Sequence, residues 1–447
     1  MTLRGWRAVL LLTVFLKLLG FGIVLPLLPY AGRDLGAGGF AIGALFAAYS
    51  LTQFVLAPVW GAIADRFGRR PVLLASIAWG SAAYVLFALA TSYETLLLSR
   101  VLAGLSAAVI GVSQAYLADR TPAEDRAGAL GLLGAAFGMG FVVGPALGAV
   151  LSRWGFAVPG FVAAGLCAAN FLVALRWLPE SLPRERRRPV RGRSAAGAPR
   201  WRWSGARPVL AILFLSTAAF SVLYPVFPLF VDQRFGFGPL EAGILFSVVG
   251  LVAAAIQGGA LGRLARRVGE RRLLASGVAL MGIGLALLPL ATSVGGLAAA
   301  LAPVAFGFAV TTPLAQTFLS RLAPEEEQGG SLGAGHAAAS LARACGPLAG
   351  GWLFQHLGAP APFWAATCLL LVAGVGVARL PRPTARGGVP VADARHGGGE
   401  PTAHRPERSA IPFDSRPSTV PAAPEAPPPV LPDTPSRARS LERAESG

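Results

Sequence analysis

Twelve stretches of roughly 20 apolar residues, parted by polar breaks, dominate this 447-residue chain. Their approximate limits are 8–28, 40–62, 71–91, 96–118, 127–151, 157–178, 208–230, 241–265, 272–292, 296–319, 330–354 and 361–381. A helix of that length crosses the hydrocarbon of a bilayer and satisfies its own backbone hydrogen bonds while doing so. We number these runs spans 1 to 12. Composition agrees with the reading. Charged residues make up only 14% of the chain, against about a quarter in a soluble domain. A water-soluble enzyme of this size is excluded, because its surface would go uncovered. A barrel of alternating strands is excluded because its segments run to about ten residues. The expected fold is therefore an all-α membrane protein with twelve transmembrane helices. The first run has a basic start at Arg4 and Arg7, like a signal peptide, but reaches about Leu28 with no small-residue cleavage site. It reads as a retained anchor.

One break is long. Residues 179–207 carry nine arginines from Arg184 to Arg207 and divide the spans into two groups of six. The expected organisation is a first half over 1–178, a basic linker over 179–207 and a second half over 208–382. Residues 383–447 hold 13 of the 36 prolines and balance eight arginines with eight acids. That composition lacks a core-forming pattern and reads as a disordered cytoplasmic tail.

Arginine placement sets the expected orientation. With the N-terminus in the cytoplasm, 23 arginines fall in cytoplasmic segments before the tail, and only Arg33, Arg153 and Arg234 fall in external loops. Positive residues stay inside, so both termini are expected in the cytoplasm, with the chain crossing an inner (cytoplasmic) membrane many times. The net charge of +17 lies wholly outside the neutral tail. It reads as a topology signal facing anionic lipid, with no nucleic-acid partner. Cys167, Cys345 and Cys368 lie in apolar runs and form neither a disulfide framework nor a metal-ligand spacing. No metal or cofactor is expected.

The two halves repeat each other. Gly61-Ala62-Ile63-Ala64-Asp65-Arg66-Phe67-Gly68-Arg69-Arg70 returns as Gly262 to Arg271, an offset of 201. Arg120-Thr121-Pro122-Ala123-Glu124 returns as Arg321-Leu322-Ala323-Pro324-Glu325, again at 201. Gly144-Pro145 with Gly148 returns as Gly346-Pro347 with Gly350, at 202. A parallel repeat of six-span halves is a transporter architecture, with the substrate site between the halves near the bilayer midplane.

The Gly61–Arg70 segment falls in the loop between spans 2 and 3. Gly68 permits a tight reversal. Asp65 is placed to accept backbone donors at a neighbouring helix N-terminus. Arg66, Arg69 and Arg70 can meet carboxylates on the same face, with Asp119 available at the inner end of span 4. In span 5, Gly140, Gly144 and Gly148 recur every fourth residue, so they share a face that allows close helix approach, while Pro145 weakens the backbone ladder. Helix packing and gating both remain open for that face.

These motifs resemble the major facilitator superfamily. Gly61, Asp65-Arg66 and Gly68-Arg69-Arg70 look like its loop 2–3 signature. Leu19-Gly20-Phe21-Gly22 with Pro26 and Pro29 resembles the first-span pattern of the twelve-span drug:proton antiporter branch. Arg100 with Gly104 resembles the span 4 pattern, and Gly140-Phe141-Val142-Val143-Gly144-Pro145 with Gly148 the span 5 antiporter signature. The likeness extends to tetracycline-efflux-type transporters through Leu73-Leu74, Ala118-Asp119 and Gly269-Glu270-Arg271-Arg272. It covers roughly residues 8–381. It implies alternating access, with Asp65 and Arg69 latching the cytoplasmic side beside Asp119. The chain departs from the pattern at one class of residue. Tetracycline-type relatives carry acids in spans 1, 3 and 9; here Lys17 stands at the first position, and spans 3 and 9 hold none.

What lies within the membrane instead is cationic. Lys17 is the only lysine in the chain and sits about 14 Å into span 1 at 1.5 Å per residue. Arg343 is similarly deep in span 11, and Arg100 nearer the outer end of span 4. A charge at the centre of a helix in lipid costs at least about 2.5–3.5 kcal/mol, so each is expected to face a watery cavity or protein partners. Lysine can shed its proton in an apolar site where arginine cannot, which makes Lys17 the candidate proton carrier. Arg343 either holds substrate or bonds the backbone opened near Gly346-Pro347. His336 shares its helix face and reads as structural. Gln53, Gln114, Gln257 and Gln316 are polar within spans, available to substrate or to interhelical hydrogen bonds.

The leading expectation is a proton-coupled exporter of drugs or other amphipathic small molecules, functional as a monomer. The alternative is a transporter of an anionic metabolite that uses Lys17 and Arg343. A sensor that keeps the fold without transporting has no positive feature behind it. An enzyme is excluded by the lack of a His-Glu-x-x-His, a Gly-x-Ser-x-Gly or any Walker lysine.

Overall fold

The computed structural model describes residues 5–122, 125–187, 206–322 and 328–380, and all regular structure among them is helical. The expected tail and most of the expected linker lie outside these residues, as does Arg4. Eleven helices are long and apolar enough to cross a membrane: Gly5–Asp34, Gly39–Phe67, Arg69–Ala88, Tyr93–Arg120, Gly128–Trp154, Ala157–Trp177, Ala206–Phe235, Pro239–Val268, Glu270–Leu290, Val294–Leu322 and Ala361–Ala378. These are spans 1–10 and 12. Span 11 is the 30-residue helix Gln328–Leu357. It has the length, but its many glycines together with His336 and Arg343 dilute its apolar character.

Tight reversals join spans 2 to 3 and 8 to 9. Gly68 has φ 109° and Gly269 has φ 86°, conformations that a side chain resists. The two glycines are the same landmark in the two halves.

Several spans are broken where the apolar runs look continuous. Span 1 turns at residues 25–27 before Leu28–Asp34. Span 7 breaks at Val222 between Ala206–Ser221 and Leu223–Phe235. Pro26 and Pro225 stand at these breaks with no N–H to give the preceding turn. Pro29 and Pro228 follow three residues later in each. Span 4 breaks at Ser106-Ala107, between Tyr93–Leu105 and Ala108–Arg120. Span 8 carries a π turn over Ile256–Ala260, which contains Gln257 and two glycines.

Spans 1 and 7 are the most enclosed, while spans 3, 6, 9 and 12 turn large apolar side chains outward. Leu172 is 63% exposed and Leu371 67%, a surface suited to lipid and to nothing else. The glycine face of span 5 lies on span 1. A Cβ at Gly140 would stand 2.6 Å from the Phe15 carbonyl oxygen, and one at Gly144 2.7 Å from that of Leu19. Gly148 abuts the backbone of Ile23 in the same way. Gly346 and Gly350 repeat the arrangement on Ala218 and Val222 of span 7. Small residues at these positions let backbones meet, which is how helices associate where lipid removes the hydrophobic drive.

Each half places its arginine-rich loops on one side. In the first half Arg69 meets Asp119 and Arg120 lies over the Trp6 ring. In the second, Arg321 pairs with Glu270, and Arg271 donates to the carbonyls of Val377 and Ala378. On the opposite side the halves meet. Arg33 of span 1 pairs with Asp232 of span 7. The Tyr30 hydroxyl donates to the carbonyls of Pro228 at 3.2 Å and Phe237 at 3.0 Å. Gln355 of span 11 accepts from the Phe40 N–H of span 2 at 3.0 Å.

Candidate functional site

The loop between spans 2 and 3 carries a cluster of ion pairs within the first half. Arg69 Nη1 lies 2.6 Å from Asp65 Oδ1, and Arg69 Nε 3.4 Å from Asp119 Oδ2. Ser181 donates to the same Asp119 oxygen at 3.2 Å. The helix N-terminus of span 3 is not capped by Asp65, as the sequence led us to expect. Glu180 caps it instead. Its carboxylate accepts the backbone N–H of Arg69 at 2.8 Å, of Arg70 at 3.2 Å, of Ser181 at 3.0 Å and of Leu182 at 3.1 Å. A carboxylate suits that place, because four backbone donors and the positive end of the helix converge there. Of the three arginines, only Arg69 pairs with acids. Arg70 donates to the Leu175 carbonyl at 2.7 Å, and Arg66 lies over the Phe67 ring at 5.1 Å. Gly61 faces open space.

The second half repeats this ion-pair cluster with its charges exchanged. Glu270 stands at the position of Arg69, offset by 201, and pairs with Arg321 through two contacts of 2.6 and 2.8 Å. Arg271, the counterpart of Arg70, likewise reaches carbonyls at the end of the last span of its half.

Deeper in the membrane the structure gathers cations around aromatic rings. Lys17 is 7% exposed and donates from Nζ to Ser106 Oγ, at the break in span 4. The break makes the contact possible: the Ser106 hydroxyl turns back to the Ala103 carbonyl at 2.6 Å, and Ser76 holds the Ser106 carbonyl at 2.8 Å. Lys17 also stands 5.9 Å from the centre of the Tyr49 ring. Arg100 is 5% exposed. Its Nε lies 3.1 Å from Ser99 Oγ and its guanidinium 5.0 Å above the Phe87 ring, while Nη2 is buried with no partner. Arg343 does not bond the backbone near Pro347; Nη2 donates to Ser340 Oγ at 3.1 Å. Tyr49 of span 2 lies against span 4, its carbonyl oxygen 2.8 Å from where a Cβ on Gly104 would stand. His336, seven residues before Arg343 on span 11, is exposed.

Aromatic side chains surround these charges. Phe21 sits 5.4 Å from Tyr49 and 6.3 Å from Phe141. Phe46 reaches across the halves to Tyr224 at 6.1 Å. Phe220 packs on Tyr224 at 5.8 Å and on Phe308 at 3.9 Å. The four glutamines stand apart from this cluster in bonding: Gln53, Gln114, Gln257 and Gln316 have no hydrogen-bond partner among the described residues. Gln257 is exposed, the other three half-buried. Among the described residues no three His, Cys, Asp or Glu side chains gather as a metal site requires.

The halves touch from the opposite side to about the level of this cluster. Gly43 of span 2 receives the Pro347 carbonyl of span 11. Gly243 of span 8 receives the Pro145 carbonyl of span 5, 2.7 Å from where a Cβ would stand. These are equivalent contacts of the repeat. Further along, Gly250 meets the Phe141 carbonyl, which lost its helical partner to Pro145. Toward the arginine-rich side, a Cβ at Gly131, Gly134, Gly258, Gly259 or Gly333 would meet open space among the described residues.

Sequence reasoning singled out Lys17, Arg100, Arg343 and the loop 2–3 arginines, because a charge inside or at the end of an apolar run is conspicuous. It missed Glu180 and the tyrosines. Glu180 lies beyond the last apolar residue of span 6 with no spacing to mark it. Tyr49 and Tyr224 look like ordinary apolar-face aromatics until the halves are brought together.

A model of the Major Facilitator Superfamily matches residues 10–267 and 209–413. The chain is 34% identical to the tetracycline resistance protein, class C, of Escherichia coli over 347 residues, 76% of this chain and 87% of that protein. It is 30% identical to multidrug resistance protein 1 of Bacillus subtilis (strain 168) over 374 residues, 81% of this chain and 93% of that one. Its fold matches the crystal structure of the human organic anion transporter MFSD10 (TETRAN) with a TM-score of 0.65 and 27% identity, covering 84% of this chain and 99% of that one. The nucleoside transporter NupG, at 15% identity and a TM-score of 0.72, shares the fold alone. The apolar belt, the repeated loop clusters and these matches agree: the chain is a multi-pass membrane transporter for small molecules, not an enzyme, and it belongs to the Major Facilitator Superfamily.

Proposed function

We propose that this protein is a secondary active transporter that exports amphipathic small molecules from the cytoplasm by alternating access, driven by protons. The carrying observation is the pattern of contact between the halves. They are paired on the side opposite the arginine-rich loops, while on the arginine-rich side Gly131, Gly134, Gly258, Gly259 and Gly333 face open space among the described residues. Positive residues stay in the cytoplasm, so this arrangement is open to the cytoplasm and closed to the outside, with both termini inside an inner membrane. The likeness to tetracycline and multidrug resistance proteins supports export. A functional monomer accords with a substrate path that lies within one chain, and nucleic acid has no part in it.

The proline carbonyls facing Gly43 and Gly243 supply two close, side-chain-free contacts about which the halves can rock. When the outer contacts open, the loop 2–3 latch and its charge-exchanged counterpart are the groups placed to meet across the cytoplasmic side. The test is a flux panel in proteoliposomes that compares cationic dyes with organic anions under an imposed pH gradient. Gradient-accelerated, protein-dependent flux of at least one amphipathic compound is expected. Flux that ignores the gradient for every compound contradicts proton-driven export.

A second reading, transport of an anionic compound, has its own observation. The membrane interior holds three cations and not one carboxylate.

A further inference from the structure

Spans 5 and 8 run antiparallel and meet in register. A Cβ at Gly243 would stand 2.5 Å from that of Ala149, one at Gly250 3.4 Å from the Val142 Cα, and one at Gly138 3.8 Å from the Cβ of Ala254. Each advance along span 8, by seven residues and then by four, is matched by an equal step back along span 5. Beyond Ala254 the facing positions are glycines, and a Cβ at Gly134, Gly131 or Gly258 would touch nothing among the described residues. A glycine within a helix weakens it and is of use where another backbone comes close. In this arrangement no backbone does.

The same face of span 8 ends in a charge. Ala254, Gly258, Gly262 and Arg266 recur every fourth residue. That spacing drifts around an ordinary helix by about 40° a step, and the extra residue of the π turn at Ile256–Ala260 takes up the drift. Arg266 Nη1 folds back over Gly262, 3.7 Å from where a Cβ would stand there. Continued twelve residues past Ala254, the register sets Arg266 level with the start of span 5. Asp125 is the N-cap residue of that helix, Arg126–Leu151, and its side chain makes no capping hydrogen bond. Both residues are exposed, and neither joins an ion pair among the described residues. Neighbouring arginines are engaged elsewhere. Arg126 donates to the Thr121 carbonyl at 3.2 Å, Arg263 to that of Gly259 at 3.1 Å, and Arg321 pairs with Glu270.

We propose that Arg266 and Asp125 form the ion pair that closes the cytoplasmic ends of spans 8 and 5, with the glycine faces between them brought together. This rests on the alternating access proposed above and names one contact of the second arrangement. Arg266 stands at the position of Asp65 in the repeat, offset by 201, with the charge reversed. An arginine brought to a helix N-terminus meets the positive end of its dipole, and Asp125 at that N-terminus supplies the opposite sign. An exposed ion pair is weak by itself, which suits a contact that forms and breaks in every cycle.

The experiment reads closure at the glycines, away from the charges. In a full-length background with Cys167, Cys345 and Cys368 replaced by alanine, Gly134→Cys and Gly258→Cys are oxidised with copper phenanthroline in proteoliposomes, with and without an imposed pH gradient. Flux of ethidium and of fluorescein, one dye from each class of the flux panel, is measured in the same charge variants without the added cysteines. The parent is expected to cross-link. Arg266→Asp and Asp125→Arg should each slow cross-linking and flux about fivefold, the range of an exposed ion pair. The double reversal should restore both to within about twofold of the parent. Arg267→Asp makes the same charge change one residue on, about 100° around the helix, and should leave cross-linking unchanged. No cross-link in the parent, single reversals without effect, or a double reversal no better than the singles overturns the pairing. Charge-dependent cross-linking in a protein that passes none of the panel's compounds leaves the contact standing and removes the transport reading. Gradient-driven flux with no cross-linking does the opposite.

Discussion

At the scale of single residues, the function turns on where charge is tolerated inside lipid. Lys17 is the one titratable amine in the membrane and stands where tetracycline-type relatives carry an acid. Its ammonium is held by a neutral serine, with Tyr49 alongside, so nothing fixes its charge as a carboxylate would. We expect Lys17→Arg, which keeps the charge but cannot titrate, to stop gradient-driven flux while leaving equilibrium substrate binding within about twofold of wild type. Full gradient-driven flux in that variant would show that a fixed charge suffices. Asp65→Asn tests the latch. It removes the negative charge that half-exposed Asp65 offers across this side when the halves close there, so transport should fall about tenfold or more, about 1.4 kcal/mol in the barrier, with membrane expression unchanged. Wild-type turnover in the variant would remove Asp65 from the cycle. The residue scale was the most legible in sequence, because an isolated Lys17, Arg100 or Arg343 in an apolar run announces itself. Their partners were hidden, since Ser106, Tyr49 and Ser340 look like any other residue on a helix face until packing selects them.

At the scale of elements, twelve apolar runs and a 201-residue repeat were legible because period and length alone specify a crossing helix. The breaks at Val222, Ser106 and Ile256–Ala260 were not, since they arise from carbonyls freed by proline or from contact with another helix. Span 11 shows the reverse case. Its glycines make it the least apolar of the twelve, and those same glycines bring it against spans 2 and 7. The close approach of Gly243 to the Pro145 carbonyl yields a prediction. Gly243→Leu cannot fit without moving span 8 from span 5 and should lower transport about tenfold or more, as a misplacement of about 1 Å does at a working site. Gly374→Leu, which enters open space on the outward-facing span 12, should be silent. Equal transport in the two variants, measured at matched expression, would show that the pivot is misplaced.

The whole molecule carries the claim from which the others follow: halves paired on one side, as proposed for the outer side, imply a second arrangement paired on the other, exchanged about the contacts at Gly43 and Gly243. The sequence specified two halves with a common ancestry of pattern, but it held no information on which side they close, because that depends on contacts between residues some 200 apart, such as Tyr30 with Pro228 and Arg33 with Asp232. The measurement that tests this most directly is a pair of spin-label distances in a background with Cys167, Cys345 and Cys368 replaced by alanine. One pair, Gly131→Cys with Gly333→Cys, reports the arginine-rich side; the other, Asp34→Cys with Gln233→Cys, reports the opposite side. On adding a transported compound or raising the proton gradient, the first distance should shorten as the second lengthens, in the same fraction of molecules. Two distances that stay fixed, or that change in the same direction, would contradict alternating access in this protein.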